Sequence, residues 1–322
     1  VVQRSFVQTV VVILVAGSLL AAAAGLQHLR EQQYPVPVVS GDSLYITSGR
    51  ALRYMTAGYH ALAADLYWIR TIQYYGNTKL KLNGGSTDPA AIGRHGSGGD
   101  EATQYNLLHP LLDLTTELDP RFNIAYRFGA IFLAETPPAG PGRPDLAIAL
   151  LEKGLRARPD KWEYMQDIGF VHYWWTHDFK AAADWFQRAS EIPGAPWFLR
   201  SLAATTLAEG GDRRSSRQMW EAIHQTAEID WLRNEAERRL LQLTALDQID
   251  QLQLTVDAVT RRDGMTPDWA AVIRAARFPG IPVDPTGTPY DIDASGRVKL
   301  SQRSRLFPLP VEPQRLVTPR VS

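Results

Sequence analysis

From Gly49 to Arg277 the apolar residues recur at spacings of three and four, the period of helices that bury one face. Turn signals arrive after pairs of such segments, so the pattern predicts an all-α body of paired helices over residues 49–278. The stretch GYHALAADLYWIRTIQYYG, Gly58 to Gly76, is apolar on nearly every side, which predicts a helix buried on more than one face and covered by a helix over Gly49 to Ala57. Two stretches break the period and are expected as insertions, at 77–100 and 135–143. The first is rich in glycine and polar residues, and the second is centred on TPPAGPGRP. The partner helix of the first pair is expected only beyond the longer insertion, from about Glu101 to Leu118.

The pattern changes at both ends. Between Ser5 and Gln27 no residue is charged, and as a helix this run would span roughly 30 Å, the thickness of a bilayer core. Residues 1–33 are therefore expected as a membrane anchor, with Arg4 ahead of it. A cleaved signal peptide, with AAAAG as its processing site, stays open. Either reading exports the rest of the chain, and the expected location is the bacterial inner membrane, single-pass, with the helical body on the outer side. Residues 34–48 read as a proline-interrupted extended spacer. Eight of the 21 prolines fall between Pro279 and Pro319, which ends regular helix and sets off a C-terminal segment, 279–322. Within it PYDIDASGRVKLS predicts a β-hairpin near 289–301, Tyr290 to Ile292 pairing with Val298 to Leu300. The closing FPLPVEPQRLVTP fits either a polyproline-type ligand for a neighbour or a disordered terminus.

An internal repeat organises the middle of the chain. A small residue, a large one four later and a small one three after that recur as Ala147, Leu151, Gly154 and as Ala182, Phe186, Ala189. Ala147 and Ala182 lie 35 residues apart and Ala182 and Ser216 lie 34 apart. Small residues such as Gly169 and Ala182 are needed where two antiparallel helices touch closely, and an aromatic one turn on fills the gap beside them. Pro159 stops one unit. Met165, Ile168, Gly169 and His172 then stand where a tetratricopeptide repeat (TPR) carries its Trp, Leu, Gly and Tyr, and the chain resembles that family. Further copies are marked by Phe128-Gly129 after Asp119-Pro120, and by Ala204, Ser216 and Trp220. Three to four repeats are recognisable from about Gln104 to Ala227, flanked by degenerate capping pairs. The resemblance implies a TPR-type α-solenoid.

Composition removes other classes. Lys plus Arg equals Asp plus Glu at 34 each, so no basic face for nucleic acid is expected. Cysteine is absent, which excludes thiolate nucleophiles, disulfides and Cys-ligated metals. VHYWWTHDF, Val171 to Phe179, concentrates aromatics and two histidines, but His172 and His177 lie about 140° apart on a helix and cannot share a metal from one face. The glycines of GRHGSGGD lack the Lys-Ser/Thr of a phosphate loop. No nucleophile elbow, zinc-protease motif or dinucleotide fingerprint is present. No catalytic, cofactor or metal residues are therefore expected.

What the TPR resemblance implies is binding. Mapped on its pattern, the concave side would carry Asn123 and Tyr126 from one helix, Glu163, Gln166, Phe170, Tyr173 and Trp174 from the next, and Phe198, Ser201 and Thr205 from the third. Aromatics there would anchor an apolar protein or peptide partner, while Asn123, Glu163 and Gln166 would bond its backbone or a basic side chain. The expected function is a membrane-anchored scaffold for assembly of a cell-envelope complex. The alternative is an accessory subunit of a membrane enzyme or electron-transfer complex.

Overall fold

A computed structural model describes residues 15–26, 44, 46, 48–82 and 102–313. The rest of the expected anchor and spacer, residues 83–100 of the first insertion and the tail from 314 lie outside the described residues. The chain divides into two units, Val1–Thr47 and Ser48–Ser322. In the first, residues 15–26 form a helix, α1, whose side chains are all exposed. Among the described residues no helix is long and apolar enough to cross a membrane.

Among its described residues the second unit is all-α apart from one small hairpin and an isolated bridge between Val283 and Pro289. Its helices are α2 (Gly49–Met55), α3 (His60–Leu82), α4 (Leu108–Leu118), α5 (Asn123–Ala134), α6 (Pro144–Ala157), α7 (Trp162–Val171), α8 (Phe179–Ser190), α9 (Phe198–Glu209), α10 (Arg213–Thr226), α11 (Asp230–Asp263) and α12 (Trp269–Ala276). From α3 to α11 each helix packs chiefly on its neighbours in sequence, with weaker contact from α5 to α7. The starts follow local chemistry. Pro144 opens α6, and Asp178 and Asp212 accept from Ala181 N and Ser215 N at the heads of α8 and α10. The core is filled by Leu108, Leu111, Leu112 and Leu118 of α4, then Leu150 and Leu151, Ile168, and Phe186, all fully buried. Each such side chain contributes about 1.5–3 kcal/mol by leaving water.

The repeat positions meet as close packing requires. Gly169 of α7 lies against the Phe186 ring of α8, and Ala182, Ala183, Ala203 and Leu207 complete that cluster. Gly129 of α5 likewise leaves room for Leu112 and Leu150.

Two expectations are corrected. The helix expected to end at Gly76 continues to Leu82, six residues into the expected insertion, because Thr78 is still buried and Lys79 and Lys81 suit the negative end of the helix. That helix is not covered on every side. The main partner of α2 is α4, and Leu62, Leu66, Ile69 and Leu80 of α3 are exposed. The second insertion is a tied loop: Gly142 N donates to Glu135 O (2.7 Å), Arg143 N to Leu133 O (2.7 Å) and the Tyr105 hydroxyl to Pro138 O (2.8 Å).

The C-terminal segment serves its own chain as far as residue 313. Strands β1 (Asp291–Ile292) and β2 (Val298–Lys299) pair antiparallel, Asp291 opposite Lys299 and Ile292 opposite Val298. A hairpin this short needs support. Tyr290, Val298, Leu300 and Leu306 are buried with Ala245, Val256 and Val272 of α11 and α12. Gln253 accepts from Val298 N (2.8 Å) and donates to Gly296 O (3.0 Å). Gln242 donates to the carbonyls of Leu306 and Pro308, both at 2.8 Å. Arg213 then holds Glu312 at 2.6 Å and also meets Asp247 and Asp250.

Candidate binding surface

The ten residues expected on one groove separate into three groups. Asn123 begins α5 half-buried, with its Oδ1 shielded from solvent and unpaired. Tyr126 is withdrawn from any groove: its side chain is fully buried, its ring 5.3 Å from that of Tyr164. Gly154 of α6 is the reason. A Cβ there would stand 3.0 Å from atoms of both tyrosine rings, so its absence makes the space they fill. The outward positions of α5 are instead Ile124, Phe128 and Ile131. Their four-then-three spacing was a legible sign of a second apolar stripe.

A second group sits at the end of α7. Past Val171 the helix widens into a π-helical turn, His172–Thr176, and His177 turns left-handed to end it. Such turns are rare and concentrate where a helix must present side chains. Phe170 and Trp174 stack with centroids 4.6 Å apart, and Trp174 is 55% exposed. Tyr173 donates to Glu209 of α9 at 2.6 Å; this bond and burial push its phenol up to about 12. Gln166 is half-buried on the same helix, and Glu163 pairs with Lys161 at 3.2 Å. Between α5 and α7, Arg127 grips Asp167 through two bonds, 2.5 and 3.0 Å. Burial raises the Asp167 carboxyl, and the guanidinium only partly offsets it.

Phe198 and Ser201 belong to the third group, at the head of α9, where Thr205 lies one turn on and half-buried. A cavity of about 360 Å³ opens there, lined by Trp197, Arg200, Ser201, Ile223, Ile229 and Leu232 among others. That size admits one or two side chains or a small ligand. Trp197 meets Trp231 of α11 edge-to-face, centroids 5.5 Å apart, yet both indoles are more than half exposed. The Ser201 hydroxyl oxygen is shielded from solvent and has no partner. Arg200 and Glu228 add one charge of each sign to the lining. Neither tryptophan was among the expected residues, although they lie 34 residues apart, the repeat period itself.

The arrangement offers apolar contact beside one charge of each sign. No protein-family model matches the chain, and no curated protein and no solved structure matches it significantly.

Proposed function

We propose that the chain is a membrane-anchored scaffold of TPR type, an α-solenoid that binds a protein segment bearing an aromatic or aliphatic side chain within a cell-envelope complex. The observation that carries the binding is the cavity at the head of α9. Exposed tryptophans paired at the edge of a cavity are costly in the free protein and useful on contact, and Trp and Arg dominate the energetics of protein interfaces. The stacked Phe170–Trp174 pair gives a second anchor. Support for the repeat reading comes from the succession of neighbouring helices, the Gly169–Phe186 contact and the 34-residue spacing. Support for the anchor is the uncharged run from Ser5 to Gln27, and the balanced charge favours protein partners over nucleic acid.

A photo-crosslinking residue at Phe198 of the full chain, expressed in a bacterial envelope, tests the reading. Discrete adducts are expected from Phe198 and not from Leu254, which is exposed on α11. Equal, diffuse adducts from both positions would reject the cavity as a partner site.

A further inference from the structure

We infer that α2 and α3 form a lipid-contacting face, lying flat on the headgroup region of an anionic bilayer with the exposed stripe of α3 inserted. Helix α3 is apolar on two sides. One, through Ala64, Thr71, Tyr74 and Thr78, is buried against α4. The other begins at Tyr59, just ahead of α3, and runs through Leu62, Leu66 and Ile69 in steps of three and four to Leu80, eleven residues or three turns further on, and so lines one edge of the helix. These side chains are 46–73% exposed, which is far from the burial their size favours. Gln73 and Gly76 fall between them, and a Cβ at Gly76 would meet nothing within 4 Å, so the stripe is open to its surroundings there. From Leu62 to Leu80 it extends roughly 27 Å. Tyr54 and Met55 of α2 are exposed as well.

Charge decides what covers it. Residues 49–82 carry Arg50, Arg53, Arg70, Lys79 and Lys81 against the single acid Asp65, a local excess of positive charge in a chain whose Lys plus Arg equals its Asp plus Glu. A second copy of the chain meeting this face across a two-fold axis would set like charges against like. An anionic lipid surface complements them, and long basic side chains beside Tyr, Leu and Ile are the composition of an interfacial helix. Lys79 already lies over the Tyr75 ring, 5.5 Å from its centroid, with its stem along the helix. The inference concerns α2 and α3 and stands apart from whether residues 5–27 remain as an anchor.

The chain has no cysteine, so a single probe site can be added to it. Leu66→Cys and, as control, Leu254→Cys, both at exposed positions, would carry an environment-sensitive fluorophore. Vesicles of phosphatidylcholine, with and without phosphatidylglycerol, would contain nitroxide-labelled acyl chains. In phosphatidylglycerol vesicles the probe at position 66 should shift to the blue and be quenched several-fold more than at 254. Salt, or the charge reversal Arg53→Glu with Lys79→Glu and Lys81→Glu, should reduce that quenching. Circular dichroism of each variant checks that the helices persist. Equal quenching at the two sites would overturn the inference even if the chain still floats with vesicles through its N-terminal run. Self-quenching at position 66 that tracks protein density and ignores lipid charge would also overturn it, assigning the face to a second copy.

Discussion

Gly169 of α7 lies so close under the ring of Phe186 that a Cβ built on it would stand 2.6 Å from ring atom Cδ1. Phe186 is fully buried and cannot swing away. Gly169→Ala should therefore destabilise by about 1–3 kcal/mol despite the better helix propensity of alanine. The same substitution at Gly76, in open space on α3, should be neutral or stabilise by up to about 1 kcal/mol. Thermal melts of the two variants should move in different directions. Ala182→Leu, in the same cluster as Phe186, should lose about as much as Gly169→Ala.

That contact was readable because a repeat places small and large residues at fixed offsets, and backbone proximity enforces them. The fate of α5 was not. The repeat pattern puts Tyr126 on the outside, but the pattern does not record that Gly154, on the next helix, opens space for it. Helix α3 misled in a related way: an apolar side says nothing of whether a partner covers it, and its two apolar sides have different fates. The tail was the least legible part. Gln242 meets Leu306 across 64 residues of sequence and Arg213 meets Glu312 across 99, and no local rule links polar residues so far apart.

The Arg213–Glu312 pair fastens the tail. Its side chains are 10% and 14% exposed, and the guanidinium is raised further above its ordinary value, first by the Glu312 bond. Removing one partner leaves the other largely dry, so Arg213→Ala should cost about 3 kcal/mol, toward the low end for buried pairs because Asp247 and Asp250 stay half-exposed. Glu312→Ala should cost less, since Arg213 keeps two carboxylates. Truncation after Arg277 would strip Tyr290, Val298, Leu300 and Leu306 from the core cluster of α11 and α12 and should abolish its cooperative melting. Urea unfolding of the three variants should rank them in that order of increasing harm: Glu312→Ala, Arg213→Ala, truncation.

Stability should fall in two steps as the solution is acidified. Burial lowers both His109 and His172 below their ordinary value, so between that value and the folded one the unfolded chain binds the extra proton. Stability is thus full above about pH 6.5 and declines below it. The second step comes from Asp145, lowered by its bond to Arg143, and Asp212, lowered by the Ser215 amide. Asp160, held at about 2 by Arg158, adds to it. Their stabilisation is present above the ordinary carboxylate range and is lost as pH falls through it. Asp167 opposes this step because its folded value is raised. Melting temperatures from pH 8 to pH 3 should show both declines, and His172→Gln should flatten the first. A curve level between pH 7 and pH 5 would reject the role given to the histidines.

At the head of α9, stability and binding should separate. Trp197 and Trp231 are 54% and 59% exposed, so replacing either with alanine removes only part of the burial of a core side chain and should cost less stability than a core truncation. If they anchor a partner, each change should lower crosslinking from Phe198 about tenfold or more, as for an interface residue worth about 2 kcal/mol. Ser201→Ala should not lower either readout. Removing a shielded, unpaired hydroxyl spares a desolvation cost of about 1 kcal/mol, so the free protein should be as stable or more so, and an oxygen closed to solvent is closed to a partner as well. Tyr126→Ala is the contrasting case. Tyr126 is fully buried beside Tyr164, and its loss should cost about 3–5 kcal/mol and reduce crosslinking only through the fraction unfolded. Should the tryptophan variants instead keep full crosslinking at wild-type stability, the partner is gripped elsewhere, and the stacked Phe170 and Trp174 become the next residues to replace.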